Sequence, residues 1–159
     1  MLIIADSSAL VALVVCDALH LLEQLFDDVS VPQAVFDEVT VEGKPAAETL
    51  RGYLSDKVRT IDITDFVIAA EGLGQGELEA MALYKHLHAD YLLVDDKRAR
   101  KVARYNQIAI TGSQGILLLA KHAGIIERVA PFIARLHASD IRISDRLTQR
   151  MLELAGENG

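Results

Sequence analysis

The stretch YLLVDD at residues 91–96 decides the fold, because a run of apolar residues leads directly into two aspartates. The stretch LIIAD at residues 2–6 has the same pattern near the start of the chain. Short apolar runs bounded by polar residues are typical of strands that are buried on both faces of a parallel sheet. Further strands are predicted at residues 29–31, 58–63 and 107–110.

Helical patterns separate the predicted strands, so the chain alternates between the two kinds of element. This alternation predicts an α/β fold in which helices cover both faces of a parallel sheet, with the strand order left open. The helices are predicted at residues 7–15, 18–26, 33–39, 46–54, 77–87, 116–122, 127–137 and 144–155, with a further basic helix that begins at Lys97.

The composition indicates a globular chain. Of 159 residues, 51% are hydrophobic and 25% are charged, and no repeat or linker divides them, so we expect one domain over residues 1–159. No apolar run reaches the roughly 18 residues that a membrane span needs. The lone cysteine, Cys16, cannot form an internal disulfide, which favours a reducing, cytoplasmic location.

The net charge of −7 argues against a broadly basic surface for nucleic acid. The segment KRARKVAR at residues 97–104 nevertheless holds five of the 16 basic residues. It can be interpreted as a solvated helix face or as a local phosphate-binding edge, because phosphate attraction is screened within roughly 10 Å.

Carboxylates follow two of the predicted strands. Asp6 ends the first, and Asp95 and Asp96 end the strand at 91–94. The carboxyl ends of parallel strands share one edge of a sheet, where ligands bind in open α/β folds. Glu38 and Glu77 lie on adjoining predicted helices. Together these acids predict a site for a hard divalent cation, which would relieve their mutual repulsion and could activate water at a phosphodiester.

Each acid also has a simpler interpretation. Asp6 and either Asp95 or Asp96 could cap the helices that follow them, and Glu77 in a first turn favours the helix dipole. Glu38 could be an exposed helix residue. For any one acid the simpler interpretation is favoured, whereas the placement of all of them at one sheet edge favours a site.

Five segments together resemble the PIN-domain family, most closely its compact prokaryotic branch related to toxin–antitoxin toxins. They span residues 2 to about 121 and read LIIADSSALVAL, VSVPQAVFDEV, GLGQGELEAMAL, YLLVDDKRARKVA and IAITGSQGILLLAK. The resemblance implies a three-layer α/β/α sandwich and an endoribonuclease that uses Mg²⁺ or Mn²⁺. It also implies a small antitoxin partner, with the helices at residues 7–25 and 33–54 as a possible homodimer or partner surface.

The family's site residues carry over to this chain position by position. The catalytic acids would be Asp6, Glu38, Glu77 and Asp96, with Glu77 standing where many members carry aspartate. Metal ligands would come from Asp6, Asp96 and Glu77. Asp95 stands where a neutral residue is common in the family, and it could add or replace a ligand. Ser7 and Ser113 match polar positions beside the acids in the family and would support substrate binding. Independently of the resemblance, the basic segment at 97–104 would supply Lys97, Arg98 and Arg100 as phosphate contacts.

Two other functions remain open at this point. A phosphoacceptor receiver domain also clusters acids at strand ends, but it needs an acidic pair after its first strand and a lysine after its last. A non-catalytic module that keeps the scaffold and only binds a partner is the second.

Overall fold

Parallel strands form the centre of the computed structural model, which describes residues 1–65 and 72–157. Their order across the sheet is β3-β2-β1-β4-β5, and every neighbouring pair is parallel. The strands are β1 (Leu2–Ala5), β2 (Asp28–Pro32), β3 (Val58–Arg59), β4 (Tyr91–Leu93) and β5 (Ile110–Thr111).

Helices connect the strands and cover the sheet. No helix in the described part of the chain is long and apolar enough to cross a membrane. The helices are α1 (Ser7–Val15), α2 (Leu21–Leu25), α3 (Gln33–Val39), α4 (Ala47–Leu54), α5 (Gln75–Leu87), α6 (Lys97–Tyr105), α7 (Ser113–His122), α8 (Ala130–His137) and α9 (Asp145–Ala155), with a 3₁₀ turn at Ile63–Asp65.

The central strand β1 separates two apolar cores, because successive side chains of a strand point to opposite faces. Ile3 and Ala5 pack into a larger core with α1, α2, α4, α7, α8 and α9. Ile4 packs into a smaller core with α5 and α6. Helices therefore lie on both faces, as the predicted three-layer α/β/α sandwich requires.

Register brings the predicted acids to one edge of the sheet. Ala5 pairs with Leu93, and Leu93 pairs with Thr111. The pairing continues past β1, since the backbone N–H of Asp6 donates to the carbonyl of Leu93 at 2.9 Å. Asp6, Asp95 and Ser113 thus follow three adjacent strands at their carboxyl ends.

Two predicted strands are shorter than the sequence pattern indicated, and both differences have local causes. The strand predicted at 58–63 ends at Arg59, because the Asp62 carboxylate accepts from the N–H and hydroxyl of Thr64 and starts the 3₁₀ turn. The strand predicted at 107–110 begins only at Ile110. Gln107 has φ 58°, and Ile108 N–H donates to the carbonyl of Ala103, so both residues close α6.

Candidate functional site

Asp6 is a buried carboxylate with little compensation for its charge. It is 4% exposed and serves as the N-cap of α1, where it accepts one hydrogen bond, from Ser7 N–H at 2.8 Å. Its pKa is raised to about 7, chiefly because burial disfavours the charged form. The Ser7 hydrogen bond opposes this shift, and the negative charges of Glu77, Glu38 and Asp96 add to it.

The predicted acids around Asp6 therefore lie close enough to act on it electrostatically. Glu77 sits in the first turn of α5 and accepts from Gly74 N–H at 3.1 Å. Asp96 is exposed and caps α6 by accepting from Ala99 N–H at 2.9 Å. Glu38 is exposed on α3. The structure gives Asp6, Asp96 and Glu77 the helix-capping roles of the simpler interpretation, and it also brings them together with Glu38.

Asp95 stands apart from this group. Its carboxylate accepts from Ser113 N–H at 2.7 Å and from the Ser113 hydroxyl at 2.6 Å, so it holds the start of α7 against the end of β4. Gly112 leaves room for this contact: a Cβ there would lie 2.9 Å from Oδ1 of Asp95 and 2.7 Å from Nη1 of Arg100. Ser113, predicted as a substrate contact, is fully buried and bonded to Asp95.

The oxygen donors around Asp6 fit a hydrated divalent cation better than a closed cage. In residues 1–65 and 72–157, no three His, Cys, Asp or Glu side chains stand close enough to hold an ion by themselves. Mg²⁺ commonly uses one or two carboxylates and retains several waters. The Ser7 hydroxyl is shielded from solvent and has no hydrogen-bond partner in the described residues. Because buried polar groups are normally satisfied, this orphaned hydroxyl would suit a cation-bound water.

A cavity of about 650 Å³ adjoins the acids. Glu38, Asp95 and Ser7 line it, whereas Asp6, Glu77 and Asp96 do not, so the acid centre lies beside the cavity. The remaining lining residues come from α1, from α3 and the loop after it, from α6 and α7, and from α9 and the segment before it. They are Ser8, Val11, Ala12, Val39, Lys44, Lys97, Arg100, Gln114, Ile141, Arg142 and Leu147.

The three predicted phosphate contacts on α6 differ in position. Lys97 is exposed and lines the cavity. Arg100 also lines it but is half-buried, and its Nη1 donates to the Val94 carbonyl at 3.1 Å. Arg98 is not among the lining residues and points to the loop before α5, where it donates to the Gly72 carbonyl at 3.4 Å.

Several lining residues were absent from the sequence prediction, namely Lys44, Ile141, Arg142 and Leu147. Lys44 and Arg142 read as ordinary surface residues, Ile141 and Leu147 read as residues that pack against the core, and no motif marks any of them. Ile141 and Leu147 line the same cavity as Val11 and Glu38 although they lie more than 100 residues away in the sequence, so tertiary packing brings them there. Ile141, Arg142 and Leu147 could have been predicted only if the packing of α9 against α7 had been known.

A family model described as a PIN domain matches residues 2–157. The chain belongs to the PIN-domain family. This membership confirms the predicted resemblance to the PIN-domain family as a whole. PIN domains are typically nucleases that act on nucleic acid and generally use divalent metals. No curated protein and no solved structure matches the chain. The receiver alternative is also wrong on topology, since receivers have strand order 2-1-3-4-5 and this PIN domain has order 3-2-1-4-5.

Proposed function

We propose that this PIN domain is a divalent-metal-dependent endoribonuclease that hydrolyses RNA phosphodiesters at the acid centre of Asp6, Glu38, Glu77 and Asp96. The observation that carries the proposal is the state of Asp6. A buried carboxylate with one hydrogen bond and three nearby acids is poorly compensated in the protein alone. Such groups cluster at functional sites, where a ligand supplies the missing charge.

Each residue of the centre has a distinct part in the proposed mechanism. Asp6 and Asp96, with Glu77 and Asp95 as further ligands, would hold Mg²⁺ or Mn²⁺. When bound, the cation supplies positive charge for a phosphate oxygen and lowers the pKa of an attacking water. Glu38 faces the cavity and would orient that water or accept its proton. Ser7 offers its unpartnered hydroxyl to the same water shell.

The substrate would approach through the neighbouring cavity. Lys97 and Arg100 line it and would contact phosphates on either side of the scissile bond. Arg98 would contribute from the outer edge of α6, and Ser113 would act through Asp95. The assignment of RNA rather than DNA as the substrate rests on the resemblance of the five segments to the toxin branch.

That resemblance also supports a cellular role as the toxin of a toxin–antitoxin pair, acting in the cytoplasm. A small antitoxin would cover the acid centre, and the helices over residues 7–25 and 33–54 would form a homodimer. Light scattering of the chain alone and with the product of the neighbouring gene tests both. A monomer in both samples contradicts them.

Cleavage of a labelled single-stranded RNA in Mn²⁺ tests the nuclease. We expect Asp6→Asn to lower the rate by at least about 100-fold, a typical cost of losing a catalytic group, and to keep the fold, because asparagine can still accept from Ser7 N–H. Asp37→Asn is the matched control: it removes an exposed carboxylate beside Glu38 on α3 and should leave the rate unchanged. Wild-type activity in Asp6→Asn would refute the site.

Calorimetric Mn²⁺ titration separates the nuclease from a non-catalytic PIN module. Since Asp6 must lose its proton to bind a cation, and its pKa is about 7, Mn²⁺ affinity should be higher at pH 8 than at pH 6. The difference should vanish in Asp6→Asn. A module without the catalytic function should show no binding that depends on the acids, and no cleavage.

A further inference from the structure

The cavity beside the acid centre combines apolar walls with a cationic rim. Val11 from α1, Val39 from α3, and Ile141 and Leu147 from the α9 segment form the apolar part. Leu147 is 40% exposed, so its side chain is accessible from the cavity that it lines. The volume of about 650 Å³ lies within the range of small-molecule sites.

The rim carries more positive than negative charge. Its cations are Lys44, Lys97, Arg100 and Arg142, and the carboxylates that line the same cavity are Glu38 and Asp95. Asp95 is already bound to Ser113. In a chain of net charge −7, this is a local excess of positive charge. The complementary ligand therefore has an apolar body and an anionic edge.

We propose that this cavity is a nucleobase subsite: one unstacked base of a single-stranded RNA lies between the aliphatic walls while its flanking phosphates contact the cationic rim. The inference rests on the proposed function, since it places the base next to the acid centre. Unpaired bases of single-stranded RNA can be turned out in this way, whereas a base of an A-form duplex must first be unpaired and unstacked at a cost of a few kcal/mol. The cavity thereby selects single-stranded substrates and prefers some bases over others.

We expect Leu147 to set the preference among bases, because it forms one apolar wall of the cavity and because the contacts of α9 fix its position. The Ser144 hydroxyl caps α9 by accepting from Leu147 N–H at 3.1 Å. Nε2 of His137 on α8 and the Thr148 hydroxyl are 2.8 Å apart, which ties the first turn of α9 to α8. Met151 is 2% exposed and packs α9 into the larger core. Leu147 itself is partly exposed, so truncating it removes a wall of the cavity with little loss of core packing.

Fluorescence anisotropy in EDTA tests the subsite without cleavage. The probes are a labelled single-stranded RNA, the same strand with abasic riboses and a labelled RNA hairpin stem. Wild type should bind the base-bearing strand about 5- to 10-fold more tightly than the abasic strand, which is the order expected for contacts to a base, and should bind the stem no better than the abasic strand. Leu147→Ala should bring the ratio close to one while leaving abasic binding unchanged.

Two further variants control this result. Leu154→Ala truncates an exposed leucine on the same helix but outside the cavity lining, and it should keep the wild-type ratio. Leu147→Phe adds an aromatic face and should increase the ratio. Circular dichroism shows whether each variant is folded.

The outcomes distinguish the subsite from the nuclease. A wild-type ratio near one, or an unchanged ratio in Leu147→Ala and Leu147→Phe, overturns the subsite even if Mn²⁺-dependent cleavage is observed. A base-dependent ratio that Leu147 controls supports the subsite even if no cleavage is found.

Discussion

The side chains of two carboxylates that lie far apart in the sequence, Asp6 and Glu157, are both shielded from solvent but are compensated in opposite ways. The side chain of Glu157, which follows α9, is 6% exposed. It accepts from Lys121 Nζ at 2.8 Å and from the backbone N–H groups of Val129 and Ala130 at 2.8 and 3.1 Å. Although burial raises its pKa, these partners outweigh burial and hold the pKa below its usual range.

Asp6 is 4% exposed as a whole residue, but it has one N–H donor, and the three charged neighbours named above that raise its pKa are negative. Its pKa is raised where that of Glu157 is lowered. Burial alone therefore does not decide the state of a carboxylate; the donors and charges around it do. Glu157, which stabilises the fold, accepts several hydrogen bonds. Asp6, where we propose that a cation binds, accepts one.

The largest expected effect in stability comes from Asp6→Asn in EDTA. An acid whose pKa is higher in the folded than in the unfolded state loses stability as pH rises, here between about pH 4 and about pH 7. Above that window the substitution should raise the free energy of unfolding by about 2 to 4 kcal/mol. Below pH 4 the gain should disappear. Urea unfolding at pH 4 and pH 8 measures it, and a destabilised variant at pH 8 would break the comparison.

Glu157→Gln should have the opposite sign and the opposite pH dependence. Glutamine keeps one acceptor oxygen, so it can accept from only one of the two N–H groups that now donate to different carboxylate oxygens. It also loses the charge that faces Lys121. We expect a loss of about 1 to 3 kcal/mol near pH 7, the range for hydrogen bonds to charged groups. Because the folded pKa is lowered, this loss should fade as pH falls below about 4, where the unfolded state takes up protons first.

Exposed Glu127→Gln is the control for Glu157 and should leave the unfolding curve unchanged. If Glu157→Gln were neutral at pH 7, the donors around Glu157 would not stabilise the fold, and the contrast with Asp6 would lose half of its support.

The smallest effect on stability should come from Ser113→Ala. This substitution tests Asp95, whose number of hydrogen-bond donors lies between those of Asp6 and Glu157. Asp95 would lose the hydroxyl donor at 2.6 Å and keep the backbone donor at 2.7 Å. The loss of one side-chain hydrogen bond should cost about 1 kcal/mol. Thermal unfolding against Ser55→Ala, an exposed serine, measures it. A loss as large as that of Glu157→Gln would show that donor number does not rank these sites.

The position of the acid centre could be predicted from sequence because it depends on local patterns. The apolar runs at 2–5 and 91–94 place Asp6, Asp95 and Asp96 after strands, and parallel pairing brings strand ends together. The difference between Asp95 and Asp96 could not be predicted. Both can cap a helix, and only the approach of Ser113 commits Asp95 to α7.

The strand order, the lengths of the edge strands and the cavity depend on contacts between distant parts of the chain, which no local sequence pattern predicts. The strand order required the structure, since residues 2–5 and 91–93 pair across most of the chain. Edge strands were the least predictable: β3 and β5 are two residues long each, and neighbouring turns shorten them. The cavity was missed because Val11 and Leu147 meet only through the packing of α9.

The anchoring of Glu157 also has a consequence for distant control of the cavity. Glu157 fixes one end of α9, and Leu147 lies near the other end, about 15 Å away along a rigid helix. The His137–Thr148 contact holds that other end of the helix against α8. With both ends of α9 fixed, a change that releases the Glu157 contacts would leave the helix held at one end only, and its orientation, together with the cavity wall that Leu147 forms, should then change without a substitution of any residue that lines the cavity.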